Sequence, residues 1–119
     1  MAIVYRNRRT DAASVVQEVE QTGRRALAIC ADVSIEAEVL RAFEVVDRTF
    51  GRLAGLVNNA ATNGGPARVA DVSREQLEVT MATNLIGPFL CCREAVRRMS
   101  TALQGRVGRS SIYPVLQRV

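Results

Sequence analysis

The sequence predicts an α/β fold built on a doubly wound parallel sheet. Two observations carry this: three apolar runs of strand length, at Ala2–Tyr5, Ala26–Ala31 and Leu53–Val57, and helical periodicity in the stretches that follow them. Runs this apolar read as strands buried on both faces, as a parallel sheet covered by helices requires. A length of 119 residues leaves room for one domain and excludes a two-domain enzyme.

The first run, AIVY, is rich in β-branched residues and leads into a polar turn over Arg6–Thr10. Asp11 is the expected N-cap of a helix through Thr22, with Val15, Val16 and Val19 as its apolar stripe and Gly23 just past its end. The second run, ALAICA, stops at Asp32-Val33-Ser34, and Ser34 is the expected cap of a helix from Ile35 to Phe50. In that helix Val39, Phe43, Val46 and Phe50 recur on one face, and Gly51 ends it. The third run, LAGLV, passes into Asn58-Asn59-Ala60-Ala61 and a loop holding Gly64-Gly65-Pro66, too long for a hairpin. Ser73 and Gln76 have the spacing of a capping box and open a helical region reaching Leu103, interrupted near Asn84 and Gly87-Pro88.

Composition removes several chemistries. The chain has no His, which excludes the triads that depend on it and most metal sites, so no metal is expected. All 16 basic residues are Arg, so a Schiff-base lysine or a phosphate-loop lysine is excluded as well. The net charge of +4 collects in the last stretch, at Arg106, Arg109 and Arg118, and the body before it is nearly neutral. Its one dense basic cluster, Arg6, Arg8 and Arg9, has no interleaved aromatic to stack on a base, so no nucleic-acid partner is expected. Cys30, Cys91 and Cys92 read as buried, reduced thiols. No stretch is apolar enough to span a bilayer or to act as a secretory leader, so no membrane partner is expected and the address is cytoplasmic.

In a parallel sheet, ligands bind beyond the carboxyl ends of the strands. The residues there are Arg6, Asn7, Arg8 and Arg9 after the first run, Asp32 and Val33 after the second, and Asn58 to Ala61 after the third. With Thr83-Asn84 at a helix break some way downstream, their order along the chain is the informative signal. This text, AIVYRNRR, ALAICADVS, GLVNNAA and TNLIGPFLCCREAVRRM, resembles the short-chain dehydrogenase/reductase family. Within it the sequence is most similar to 3-oxoacyl-carrier-protein reductases and glucose dehydrogenases, over Ala2 to about Gly105. The resemblance implies a partial Rossmann fold, with Asp32 on the adenine amine and Val33 beside the ring. It also implies Asn59 and Ala60 along the cofactor, Ala61 where the family usually has Gly, and Asn84 as the catalytic asparagine that holds a relay water and stabilises a kink in its helix. An acid at the end of the first run would favour NAD; the chain has Tyr5-Arg6 instead, so NADP is expected, read by Arg6 or Arg8, with NAD the lesser alternative.

The departures set further expectations. The family's Gly-rich turn and first strand lie ahead of the first run here, so the sheet is expected to lack its first strand and its C-terminal half, leaving a two-stranded fragment and an orphan strand. Tyr113 is followed four residues on by Gln117, and the Tyr-x-x-x-Lys of the family is not in this sequence. Residues 1–105 are expected to be a partial NAD(P)-binding domain and 106–119 a frame-shifted tail, because permitted codons from Val107 onward, read in the shifted frame, spell GGAVVNLSS. The functional expectation is a fragment of an oxidoreductase whose parent, a homo-oligomer, moves a hydride between NADPH and a carbonyl or alcohol. Alone, the fragment is expected to be inactive and to have lost cofactor binding. The alternative is a non-catalytic module that pairs with a full-length homologue.

Overall fold

The computed structural model describes residues 1–100. Two strands, β1 (Ala2–Tyr5) and β2 (Leu27–Cys30), pair in parallel with Ala2 opposite Leu27 and Tyr5 opposite Cys30. Helix α1 (Arg9–Gln21) crosses from one to the other and lies against both. After β2 come α2 (Glu36–Phe50), a 3₁₀ turn at Val69–Asp71, α3 (Arg74–Met81), a π-helical stretch at Ala82–Ile86, and α4 (Gly87–Met99). The α/β class and its two-stranded parallel fragment are those the sequence predicts.

Strand alternation places Ala2 and Val4, with Leu27 and Ile29, on one face of the sheet. Helix α2 packs there, setting Ala42, Val45 and Val46 against Ala2, Leu27 and Ile29. The other flank of α2 meets α4, where Val39, Phe43, Cys91 and Ala95 form a second buried cluster with Val33, Leu53, Leu56, Leu90 and Met99 around it. The 39/43 spacing in α2 and the 91/95 spacing in α4 are one helical turn each, so the two helices meet along matched stripes.

Four expectations need correction. Leu53–Val57 is not a strand: it has no ladder partner among the described residues, and a strand's amides and carbonyls require one. Leu53 and Leu56 still pack inward, so the apolar signal there is real and only the pairing is missing. The strands are not buried on both faces either, since Val4 and Cys30 are exposed. Asp11 does not cap α1, which starts two residues earlier at Arg9; Asp11 sits in the first turn, where an acid suits the helix dipole. Ser34 does not cap α2, whose N-cap is Ile35, because the Ser34 hydroxyl is committed to Asp32.

The thiol expectation holds for Cys91 alone; Cys30 and Cys92 are free and exposed. The capping box at Ser73 is complete, with Ser73 Oγ accepting the Gln76 amide and Gln76 Oε1 accepting the Ser73 amide. Gly51 closes α2 in the left-handed conformation, at φ 72°, that favours glycine. The tail, residues 106–119, and Tyr113 lie outside the described residues.

Candidate cofactor and catalytic site

The parallel register that sets Tyr5 beside Cys30 also brings together the residues just past each strand. Arg6 Nη1 donates to Asp32 Oδ2 at 3.2 Å, with the Arg6 side chain half-exposed and Asp32 largely covered. The second Asp32 oxygen, Oδ1, accepts the Ser34 amide at 2.9 Å and the Ser34 hydroxyl at 2.6 Å, an Asx turn that fixes the carboxylate plane. The Asp32 amide donates to Glu38 Oε2 at 2.6 Å, which ties the turn to the first turn of α2. Burial raises the Asp32 carboxyl, but the two Ser34 bonds and the Arg6 guanidinium outweigh it and hold the group below the ordinary aspartate value. At neutral pH, Asp32 is therefore an anchored anion.

Arg8 is directed elsewhere, pairing with Asp11 at 3.6 Å across the exposed start of α1. Val33 packs under the start of α4: a Cβ built on Gly87 falls 2.9 Å from the Val33 carbonyl oxygen and 3.0 Å from its Cγ2. Only glycine lets α4 come so close to the turn carrying Asp32 and Val33.

The third group, Asn58 to Ala61, runs along the surface as an exposed loop. Asn58 Nδ2 lies 3.3 Å from Cys92 Sγ and 3.5 Å from the Pro88 carbonyl, which pins the loop's start to α4. Asn84 pins its end. Its Oδ1 accepts the Thr62 amide at 2.8 Å, and its Nδ2 donates to the Thr62 carbonyl at 2.6 Å, so one carboxamide pairs with both polar atoms of one peptide residue. Asn84 sits in the π-helical stretch between α3 and α4, where the predicted interruption falls. The side chain thus binds the loop across the bulge and not the bulge itself.

The structure brings Arg6 to Asp32, Val33 to α4, and the loop after Asn58 to Asn84; it does not bring Arg8 to Asp32. Sequence reasoning missed Thr62, whose backbone partnership has no signal in residue type. It also missed Glu94, whose signal was present as acid-to-base spacings of three and four residues. The Glu94 side chain is buried, at 4% exposure, and its carboxylate accepts from Arg93, Arg97 and Arg98 at 3.0, 2.9 and 2.8 Å. Arg98 also pairs with Asp47 of α2 at 2.9 Å and lies 5.0 Å from the Phe43 ring centroid.

The family model described as short chain dehydrogenase matches residues 1–110. The chain belongs to the short-chain dehydrogenase family. An uncharacterized oxidoreductase of Escherichia coli, YgfF, is 35% identical over 108 residues, covering 91% of this chain and 44% of its own. A short chain dehydrogenase from Burkholderia cenocepacia, solved in complex with NADP, superposes with a TM-score of 0.76 at 32% identity, over 81% of this chain and 39% of that one. A 3-ketoacyl-ACP reductase from Sinorhizobium meliloti gives a TM-score of 0.79 at 30% identity, over 93% of this chain and 42% of that one. This short-chain dehydrogenase segment spans less than half the length of each of these relatives. Its two-stranded sheet is accordingly part of their Rossmann fold. Among the described residues, no helix is long and apolar enough to cross a membrane.

Proposed function

We propose that these 119 residues are the segment of an NADP-dependent short-chain oxidoreductase that binds the adenosine half of the cofactor and supplies the catalytic asparagine. The observation that carries this reading is the Arg6–Asp32 pair at the carboxyl ends of β1 and β2. The donor set fits NADP: the Arg6 guanidinium suits a 2′-phosphate, with Arg8 two residues on. Asp32 can accept from the adenine amine and Val33 supplies an apolar wall. Asn59, Ala60 and Ala61 form an exposed, small-residue loop that a dinucleotide can approach closely. When bound, NADPH supplies the hydride for a small-molecule carbonyl, or NADP takes one from an alcohol.

The chain's own residues position and shield. The anchored Asp32 carboxylate orients adenine, Arg6 neutralises phosphate charge, and the Asn84 carboxamide holds the loop at Thr62 so that its small residues face the cofactor. Asn84 is also the proposed catalytic residue, its place in a π-helical stretch leaving nearby carbonyls available for a relay water. Residues 1–105 form the proposed binding unit, and 106–119 a proposed frame-shifted tail. We place the protein in the cytoplasm as part of a homo-oligomer, a reading supported by three free thiols and by the exposed apolar side chains of α4.

The test is a chimera in which residues 1–105 replace the matching segment of the Burkholderia dehydrogenase. It should oxidise NADPH with a carbonyl substrate and prefer NADPH to NADH, and Arg6→Ala should reduce that preference about tenfold. Equal use of both cofactors by the unaltered chimera rejects the NADP reading.

A second reading, a non-catalytic module pairing with a full-length homologue, is favoured by Leu85, Ile86 and Phe89, which stand 44%, 51% and 71% exposed at the end of the π-helical stretch and in the first turn of α4. Co-elution of the chain with such a homologue on size exclusion, without gain or loss of the homologue's activity, would support it.

A further inference from the structure

We infer that Asp32 is a specificity-determining residue for the 2′-phosphate, acting through Arg6 as well as on adenine; the inference rests on the NADP reading above. Arg6 follows a four-residue strand and its side chain is 51% exposed, so unrestrained it would sample many rotamers and lose their entropy on binding a phosphate. Among the described residues its side chain is restrained by Asp32 Oδ2 at 3.2 Å. That partner is itself fixed, because Oδ1 takes two donors from Ser34 and the Asp32 amide is tied to Glu38. The chain of contacts Ser34–Asp32–Arg6 therefore runs from the start of α2 to the end of β1. Among the described residues it uses one Nη1 bond of a group with five donors, and the side chain is half-exposed.

Two opposite expectations follow for the loss of the Asp32 charge. If Asp32 acted on the phosphate only as a nearby anion, removing it would strengthen 2′-phosphate binding, since like charges repel. If it positions Arg6, removing it weakens that binding. The fixed carboxylate geometry points to the second, because pre-organisation of a flexible arginine is what the contact provides.

The probes are 2′,5′-ADP and 5′-AMP, which share adenine and the 5′-phosphate and differ in the 2′-phosphate; neither carries a pyrophosphate. Affinities of the 119-residue chain for each, from NMR titration in the millimolar range, give a ratio in which any effect of Asp32 on adenine cancels. The unaltered chain should favour 2′,5′-ADP. Asp32→Asn should lower the ratio roughly three- to tenfold, and Ser34→Ala, which keeps the charge but loosens its anchor, should lower it less. Arg6→Ala should abolish the preference. A ratio that stays level or rises in Asp32→Asn, while Arg6→Ala abolishes the preference, overturns this inference alone. No preference in the unaltered chain, or one that survives Arg6→Ala, overturns the NADP reading and the inference with it. If Asp32→Asn loses its folded far-UV signature, the Ser34→Ala ratio decides, and an unchanged value there also overturns the inference.

Discussion

Asn84 and Glu94 each hold their surroundings through more than one bond. Asn84→Ala removes both bonds to Thr62 from an exposed site, so the stability cost should be about 1–2 kcal/mol in thermal melts of the chain. In the chimera the same change should lower kcat more than it raises KM, as loss of a group acting in the transition state does; wild-type kcat would reject the catalytic role. Glu94 gathers three guanidinium groups around a buried carboxylate. Burial raises its pKa, but the bonds from Arg98 and Arg93 and the charges of Arg97 and Arg98 outweigh that, leaving it below the ordinary glutamate value of 4.5. A lowered folded-state pKa means the contribution is fully present above the unfolded value and disappears as pH falls through the folded one. Stability should therefore be level from neutral pH down to about 5 and fall below that. Glu94→Gln should cost about 1–3 kcal/mol at pH 7 and flatten the acid limb of the urea midpoint against pH, and a parallel acid limb in both proteins would contradict the assignment. Asp32, with its own lowered pKa, adds to the same limb in the same direction.

At the scale of elements, the decisive contact is the one between the turn after β2 and the start of α4. Gly87→Ala places a methyl group 2.9 Å from a backbone oxygen of Val33, an atom that cannot rotate away. The chain must shift by several tenths of an ångström, at an expected cost of about 1–3 kcal/mol. Thermal melts of Gly87→Ala check this, and an unchanged midpoint would mean that α4 sits further from Val33 than described. Much at this scale was legible in the sequence. The paired apolar runs, the α2 stripe of Val39 and Phe43, the Ser73–Gln76 box and the break at Asn84 all rest on local periodicity or on one side chain meeting a nearby amide. What was not legible depends on partners distant in the chain. Leu53–Val57 has the composition of a strand and, among the described residues, no neighbour to pair with, and Ser34 has the chemistry of a cap but meets Asp32 first. The ligand-side residues after each run were readable because a parallel sheet gathers strand ends; which of them touch was not, and Arg6 rather than Arg8 reaches Asp32 because of the β1–β2 register.

For the molecule as a whole, the sheet is the weak point. Among the described residues, two strands of four residues each give little ladder, β1 leaves one edge unpaired, and no large side chain is fully buried. Exposed Val4, Leu85, Ile86 and Phe89 add apolar surface that self-association would cover. The chain at micromolar concentration should elute on size exclusion above its monomer mass of 13.0 kDa and bind an apolar dye; a sharp monomer peak without dye binding would contradict this. With no His and no Lys in the sequence to tune a proton donor toward neutral pH, it should reduce no carbonyl compound by itself. Sub-millimolar NADPH should not shift its melting point, since a ligand stabilises only in proportion to its affinity for the folded state. Turnover by the unaltered chain, or a shift of several degrees, would contradict these outcomes.

The Asn84–Thr62 pair has a consequence for solvent exchange. Thr62 belongs to a stretch without regular structure, where amide protons ordinarily leave for water quickly, and the neighbouring Gly64 and Gly65 amides are held by side chains two residues away. The Thr62 proton is held by a group 22 residues distant, on a helical segment. Its deuterium uptake therefore times the lifting of the loop from that segment and reads the free energy of local opening at one backbone position.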